Sequence, residues 1–250
     1  MKSTKILQSF TIQDELNPEI WDYKDSSITG EPKMYSDVRE KLLEAIDNFI
    51  NFVGVDLEVE DVIMTGSLSN YNWSEFSDVD LHVLVDMDAL KNKELYKELF
   101  AAKQSLWNSL HDIGVRGFEV EVYVQSSTEP HYSSGVYSVM NNQWVVSPSK
   151  VDFDLDDKKI LDKTRTWMEI IDGLERKSYL LPPDETLEIL QKVKDKLKKF
   201  RSCGLKNKGE FSYENLAFKF LRRNGYLRKL SQLKNQLVDD TLSLEEQKFF

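Results

Sequence analysis

Asp78 and Asp80 flank one valine in the run Ser77-Asp78-Val79-Asp80-Leu81-His82-Val83. Side chains two apart on a β-strand leave the same face, so the two carboxylates stand side by side. Acids held that close repel each other unless a cation sits between them. Hard divalent cations take oxygen ligands, and Mg²⁺ is commonly held by one or two carboxylates plus substrate phosphates. Glu119 and Glu121 share one face of a later apolar-alternating stretch; if the two strands are neighbours, a third carboxylate joins the pair. That supplies ligands for two metal ions, one activating an attacking oxygen and one stabilising a leaving pyrophosphate oxygen. Gly66-Ser67 precedes Asp78, with ten residues between Ser67 and Asp78. Glycine permits close backbone approach there, and the amides and the Ser67 hydroxyl can donate to phosphate oxygens. Either motif alone is common by chance; their combination is not.

The elements that must position these residues are legible from periodicity and punctuation. Val38, Leu42, Leu43, Ile46, Phe49 and Ile50 fall at helical spacing within Ser36 to Val53, and Gly54 is a stop signal. Residues 61–65 read as a short strand ending at Gly66-Ser67, and the stretch LSNYNWSEFS reads as a loop. Residues 78–86 read as a well-buried strand. Leu95, Leu99, Ala102, Leu106 and Leu110 mark a helix that Gly114 terminates. Residues 118–124 alternate as a strand, and GVYSVM-NN-QWVV reads as a hairpin around Asn141-Asn142. The order helix, strand, strand, helix, strand, hairpin predicts a mixed α/β layer structure. After Ser147-Pro148-Ser149 the character turns helical. Leu187, Leu190, Val193, Leu197 and Phe200 form one stripe behind Pro182-Pro183, with Asp184 and Glu185 at its positive end. A further helical stretch starts near Tyr213 and carries Leu216, Phe220, Leu227 and Leu230, with a break at Asn224-Gly225. The boundary falls near residue 150, giving an α/β domain over 1–150 and a helical domain over 151–250.

The run M-T-G-S-L-S-N-Y-N-W-S-E-F-S-D-V-D-L-H-V resembles the signature of the DNA polymerase beta-like nucleotidyltransferase superfamily: an apolar residue, Gly-Ser, about ten loop residues, then Asp-apolar-Asp-apolar. It is also similar to the stand-alone members that large tailed bacteriophages encode. The resemblance covers roughly residues 60–125. It implies an α+β fold, with an N-terminal nucleotidyltransferase-type mixed sheet and flanking helices followed by a helical domain. It also implies Mg²⁺-dependent transfer (two ions, with Mn²⁺ as a substitute) of a nucleoside monophosphate from an NTP to an acceptor hydroxyl, with release of pyrophosphate. By position, Gly66 and Ser67 would hold the triphosphate and Asp78 and Asp80 the metals. The third carboxylate, which helps deprotonate the incoming hydroxyl, falls on Glu121 or Glu119; Glu121 is favoured because apolar residues flank it and it lies deeper in the strand. Lys219, Arg222 and Arg223, with Tyr226, follow i, i+3, i+4, i+7 spacing. Related enzymes often use basic residues of the second domain on the triphosphate, which makes these three candidate cofactor-binding residues across a cleft; the plain alternative is a solvated helix face.

His82 faces the same side as Asp80 and can touch a phosphate or a metal-bound water, or it is a strand histidine with no chemical role. His111 and His131 show no partner pattern and read as structural or surface residues. Tyr71 and Trp73 in the loop can stack on a base or tuck onto the domain. Cys203 lies in a polar basic turn without a redox motif.

Composition bounds these readings. At 250 residues, 40% apolar, the chain can bury a substantial core. One cysteine excludes an intrachain disulfide, and three scattered histidines cannot assemble a Cys/His zinc cluster, so oxygen ligands must hold any metal. No run approaches the ~20 apolar residues of a membrane span, and the opening MKSTKILQSFTIQDEL lacks the apolar core of a secretory signal. The expectation is a cytoplasmic protein with no membrane partner, in the host cytoplasm if phage-encoded. The net charge of −10 hides an asymmetry: residues 191–235 carry 14 Lys/Arg against 3 Asp/Glu, a local +11, so the remainder carries −21. The acceptor class (an RNA such as tRNA, a protein or a small molecule) is not selected by these features. A competing reading is a non-catalytic nucleotide- or nucleic-acid-binding module of the same fold, against which the clustered acids argue.

Overall fold

The computed structural model describes residues 2–24, 30–131, 133–150 and 155–243. In chain order its elements are α1 (Lys2–Gln8), β1 (Trp21–Asp22), β2 (Lys33–Met34), α2 (Ser36–Val53), β3 (Val59–Thr65), β4 (Val79–Val85), α3 (Lys93–Leu110), β5 (Gly114–Val115), β6 (Phe118–Ser126), β7 (Val136–Ser138) and β8 (Gln143–Val146). Four helices follow: α4 (Asp157–Ser178), α5 (Pro183–Lys208), α6 (Tyr213–Arg223) and α7 (Tyr226–Leu242). The architecture is mixed α/β, with a central mixed sheet and a C-terminal helical region. The chain divides into two compact units, Ser9–Asp152 and Met1–Gln8 with Phe153–Phe250. The first eight residues, assigned to the α/β domain on sequence, thus cluster with the helices.

The sheet runs β5-β6-β4-β3-β7-β8. The β4 and β6 pair is parallel, while β3 pairs antiparallel with both β4 and β7. Period-2 alternation divides its faces. Val79, Leu81, Val83 and Val85 of β4, Val120 and Val122 of β6, and Val62 and Met64 of β3 enter the main core with α2 and α3. On the opposite face the register sets Asp80 beside Thr65 and Glu121, and His82 beside Ile63 and Tyr123. The strand at 78–86 is therefore buried on one face and half-buried at Asp80 and His82 on the other. Helix α2 buries Val38, Leu42, Ile46 and Phe49 and stops at Gly54, whose φ of 70° is left-handed and whose N–H bonds the Ile50 carbonyl at 3.2 Å. The hairpin forms with Tyr137 opposite Trp144 and with Asn142 at a φ of 54°.

Helix α3 corrects the sequence reading. The expected stripe faces outward: Leu95, Leu106 and Leu110 are 61%, 47% and 62% exposed. Phe100 and Trp107 are buried instead. The reason lies in the edge of β6, which β5 pairs only at Glu119 and Phe118. Farther along, Asn108 closes a two-way bond with Val122, donating to its carbonyl at 3.1 Å and accepting from its N–H at 3.0 Å, and Gln104 accepts from the Val124 N–H at 2.9 Å. Buried backbone groups must be paired, and the two amide side chains, four apart, turn the helix so that Phe100 and Trp107 face the core. The helix also ends at Leu110, and Gly114 opens β5 rather than capping α3.

In the helical unit, Asp156 caps α4 by accepting from the Lys159 N–H at 3.2 Å, and Ser212 caps α6 by accepting from the Asn215 N–H at 3.3 Å. Pro183 sits in the first turn of α5, and Gly225, at a φ of 87°, separates α6 from α7. Leu190, Leu197, Leu221, Leu230, Ile171 and Leu174 share its core. Cys203 lies within α5, not in a turn, and is exposed. No helix among the described residues is long and apolar enough to cross a membrane.

The orientation of α3 is testable by urea unfolding. Trp107→Ala removes a buried aromatic and is expected to cost about 3–5 kcal/mol, whereas Leu106→Ala on the exposed stripe should cost less than about 1 kcal/mol. Equal losses would mean that the leucine stripe, not the aromatic one, packs inward.

Candidate metal centre

The centre is built where three strands end together. Asp78 immediately precedes β4, Asp80 is its second residue, and the parallel register places Glu121 of β6 beside Asp80. Ligand atoms of Asp78, Asp80 and Glu121 all lie within 4.8 Å of one another, and all three residues are half-buried. Glu119, the other candidate, is exposed and pairs across to Gly114 on β5; the geometry brings Glu121 to the pair. Three carboxylates in that space offer an all-oxygen, anionic donor set, the chemistry that suits a hard divalent cation. The residues present fit a metal ion.

Gly66 closes the site from the β3 side. Its φ of 79° and ψ of −163° lie in a region essentially confined to glycine. A Cβ there would fall within van der Waals contact of Asp80 Oδ2 and 3.0 Å from Asp80 Cγ. The absent side chain is what lets the Asp80 carboxylate lie against the backbone. After it the chain makes a 3₁₀ turn, Ser67–Ser69, instead of an irregular loop. The Ser67 and Ser77 hydroxyls are 2.7 Å apart, which ties the two ends of the ten-residue loop together. Ser77 Oγ also accepts from the Ser74 N–H at 3.0 Å, and the Trp21 indole N–H donates to the Leu68 carbonyl at 2.7 Å. Trp21 is itself fully buried and stacked on Trp144 at 4.5 Å. The loop is thus held by residues distant in sequence on both sides.

Behind the acids sit two rings that the sequence reading treated lightly or missed. The Tyr123 hydroxyl donates to Glu121 Oε2. Burial, then the bond and charge of Glu121 and the charges of Asp80 and Asp78, push the phenol well above its ordinary range, so it stays protonated. The signal for Tyr123 was its i+2 spacing from Glu121 on one strand face. His82 stacks on Tyr123 with ring centroids 5.2 Å apart and planes 28° apart. Burial pushes His82 down to about 4, opposed by a hydrogen bond to Gln125 and assisted by the charge of His131. It is therefore neutral near pH 7, and its buried Nδ1 has no hydrogen-bond partner among the described residues. His131 accordingly belongs to this face, through Gln125 at 3.4 Å, while His111 lies tilted against Trp107 at 4.1 Å.

Tyr71 and Trp73 tuck onto the domain. The Trp73 indole N–H donates to the Glu15 carbonyl at 2.8 Å, the Tyr71 carbonyl accepts from the Gln13 N–H at 2.7 Å, and both rings pack on the main core. Gly66, Ser67, Asp78, Asp80 and Glu121 are thus gathered at one end of the sheet. Lys219, Arg222 and Arg223 belong to α6 of the helical unit, where Arg222 is exposed and the other two are half-buried. A scan against protein-family models and a search of the curated proteins each find no match for this chain.

Gly66→Ala is expected to force the backbone and the Asp80 carboxylate apart. Calorimetric titration with Mn²⁺ should then show affinity at least about tenfold weaker than wild type, a loss of about 1.4 kcal/mol. Unchanged affinity would show that the close approach of Gly66 does not shape the centre.

Proposed function

We propose that the chain is a Mg²⁺-dependent nucleotidyltransferase that moves a nucleoside monophosphate from an NTP to an acceptor hydroxyl. The observation that carries this reading is the convergence of Asp78, Asp80 and Glu121 within 4.8 Å directly beside Gly66-Ser67 at a strand end. The resemblance of residues 60–125 to the DNA polymerase beta-like superfamily supports it, as does an all-carboxylate donor set. In the reaction the acceptor oxygen attacks the α-phosphorus, a new P–O bond forms, the bond to the β-phosphate oxygen breaks, and pyrophosphate leaves with the negative charge.

Asp78, Asp80 and Glu121 would hold the divalent cations, and Glu121 would also help deprotonate the acceptor hydroxyl. The amide after Gly66 and the Ser67 segment donate to the triphosphate. When bound, Mg²⁺ (or Mn²⁺) neutralises the phosphate oxygens and stabilises the charge that develops on the attacking and leaving oxygens. The half-buried setting of the acids strengthens every such charge interaction relative to water.

Incubation of the protein with α-labelled NTPs, Mg²⁺ and a mixed RNA and protein acceptor pool tests the reading directly. Wild type should transfer label and release pyrophosphate, and Asp80→Asn should lower transfer by at least about 10³-fold, the scale on which removal of a charge-stabilising group acts. Transfer that is undiminished in Asp80→Asn would overturn the assignment. Binding of NTP by wild type without pyrophosphate release, over all acceptors, would identify a non-catalytic nucleotide-binding module instead.

A further inference from the structure

Among the described residues, Glu121 is gripped from one side only. Tyr123 lies two residues along β6, leaves the same face, and places its hydroxyl on Glu121 Oε2. The parallel register sets His82 beside Tyr123, and the stacked imidazole, with centroids 5.2 Å and planes 28° apart, packs against the phenol ring. The carboxylate oxygen can only accept, so the Tyr123 hydroxyl donates in this contact. One oxygen of Glu121 is consequently engaged by the protein and one is left to a ligand.

That distinction matters to a cation. Ca²⁺ takes six to eight oxygens and readily accepts both oxygens of one carboxylate, whereas Mg²⁺ demands six near-octahedral ligands and is served by one oxygen from each carboxylate. We propose that Tyr123 is a positioning residue that sets the cation selectivity of the centre, restricting Glu121 to one-oxygen ligation and thereby favouring Mg²⁺ and Mn²⁺ over Ca²⁺. The inference rests on the reading of the Asp78, Asp80 and Glu121 cluster as a metal centre. It assigns to Tyr123 a role that neither its burial nor its packing on His82 would require.

The test uses the full chain without nucleotide, titrated calorimetrically with Mg²⁺ and separately with Ca²⁺, in wild type, Tyr123→Phe and Tyr123→Leu. Circular dichroism and thermal melting monitor folding, and the leucine variant provides a second hydroxyl-free side chain should the phenylalanine variant be unstable. Wild type should bind Mg²⁺ more tightly, and in each folded variant the affinity ratio of Ca²⁺ to Mg²⁺ should rise about tenfold as Glu121 gains its second oxygen. A purely structural tyrosine would weaken both cations together and leave the ratio where it was; that result overturns the role of Tyr123 while leaving the metal centre standing. A wild-type chain that binds neither cation in a manner sensitive to Asp78→Asn overturns the centre itself, and the selectivity role with it.

Discussion

Mutual repulsion among Asp78, Asp80 and Glu121 is the constraint around which the sheet is arranged. With ligand atoms within 4.8 Å of one another, the three like charges oppose one another at close range, and the fold must hold them there. What holds the acids together is the other face of the same strands. Val79 and Leu81 alternate with Asp80, Val120 and Val122 bracket Glu121, and all four apolar side chains are buried. A slip of one residue would turn the acids into the core and the valines out of it. The register that stabilises the core is therefore the register that enforces the charge cluster.

The parallel pairing of β4 and β6 carries this coupling, and the surrounding contacts protect it. The amide side chains of Gln104 and Asn108 complete the hydrogen bonding of β6 where β5 has ended. On the other side, β3 delivers Gly66 against Asp80, and the turn after it is fixed by Trp21 and by the Ser67–Ser77 pair. These groups come from α3, from β1, and from both ends of one loop. A functional constellation held on strands and backed by such contacts is more sharply placed than one held on free loops.

Much of this could be read from the chain because the deciding signals are local. Gly54 ends α2, Asn224-Gly225 divides α6 from α7, Pro183 opens α5, and Asn141-Asn142 turns the hairpin; in each case a residue's own backbone preference sets the boundary. The Asp-Val-Asp spacing put two acids on one face with no knowledge of the fold, and the flanking valines of Glu121 pointed to the third. Helix α3 was misread because leucine spacing and aromatic spacing both satisfy helical periodicity, and the choice between them was made by the unpaired edge of β6, fourteen residues or more away in sequence. The clustering of residues 1–8 with the C-terminal helices rests on contacts between the two ends of the chain, for which no local pattern exists. Tyr123 differs: a tyrosine in a strand is ordinarily core, and its i+2 spacing from Glu121 places it on the acid face without showing that its hydroxyl reaches the carboxylate.

The carboxylate face also changes character along its length, and the direction of that change bears on chemistry. At the strand ends stand Asp78, Asp80 and Glu121; one step inward are His82 and Tyr123, ring against ring, with Ile63 opposite His82 and buried in an apolar cluster with Leu84 and Val136. Along β4 polarity falls and burial rises from Asp80 through His82 to Leu84, about 13 Å at the usual rise per strand residue. An anionic site at the open end of such a gradient is backed by groups that cannot donate a competing positive charge, since His82 is held neutral by its own burial. Charge introduced from outside the sheet is then felt most strongly at the acids and least behind them. A cation entering there meets half-buried carboxylates, which is the condition under which binding relieves repulsion without first requiring the site to be stripped of its whole hydration.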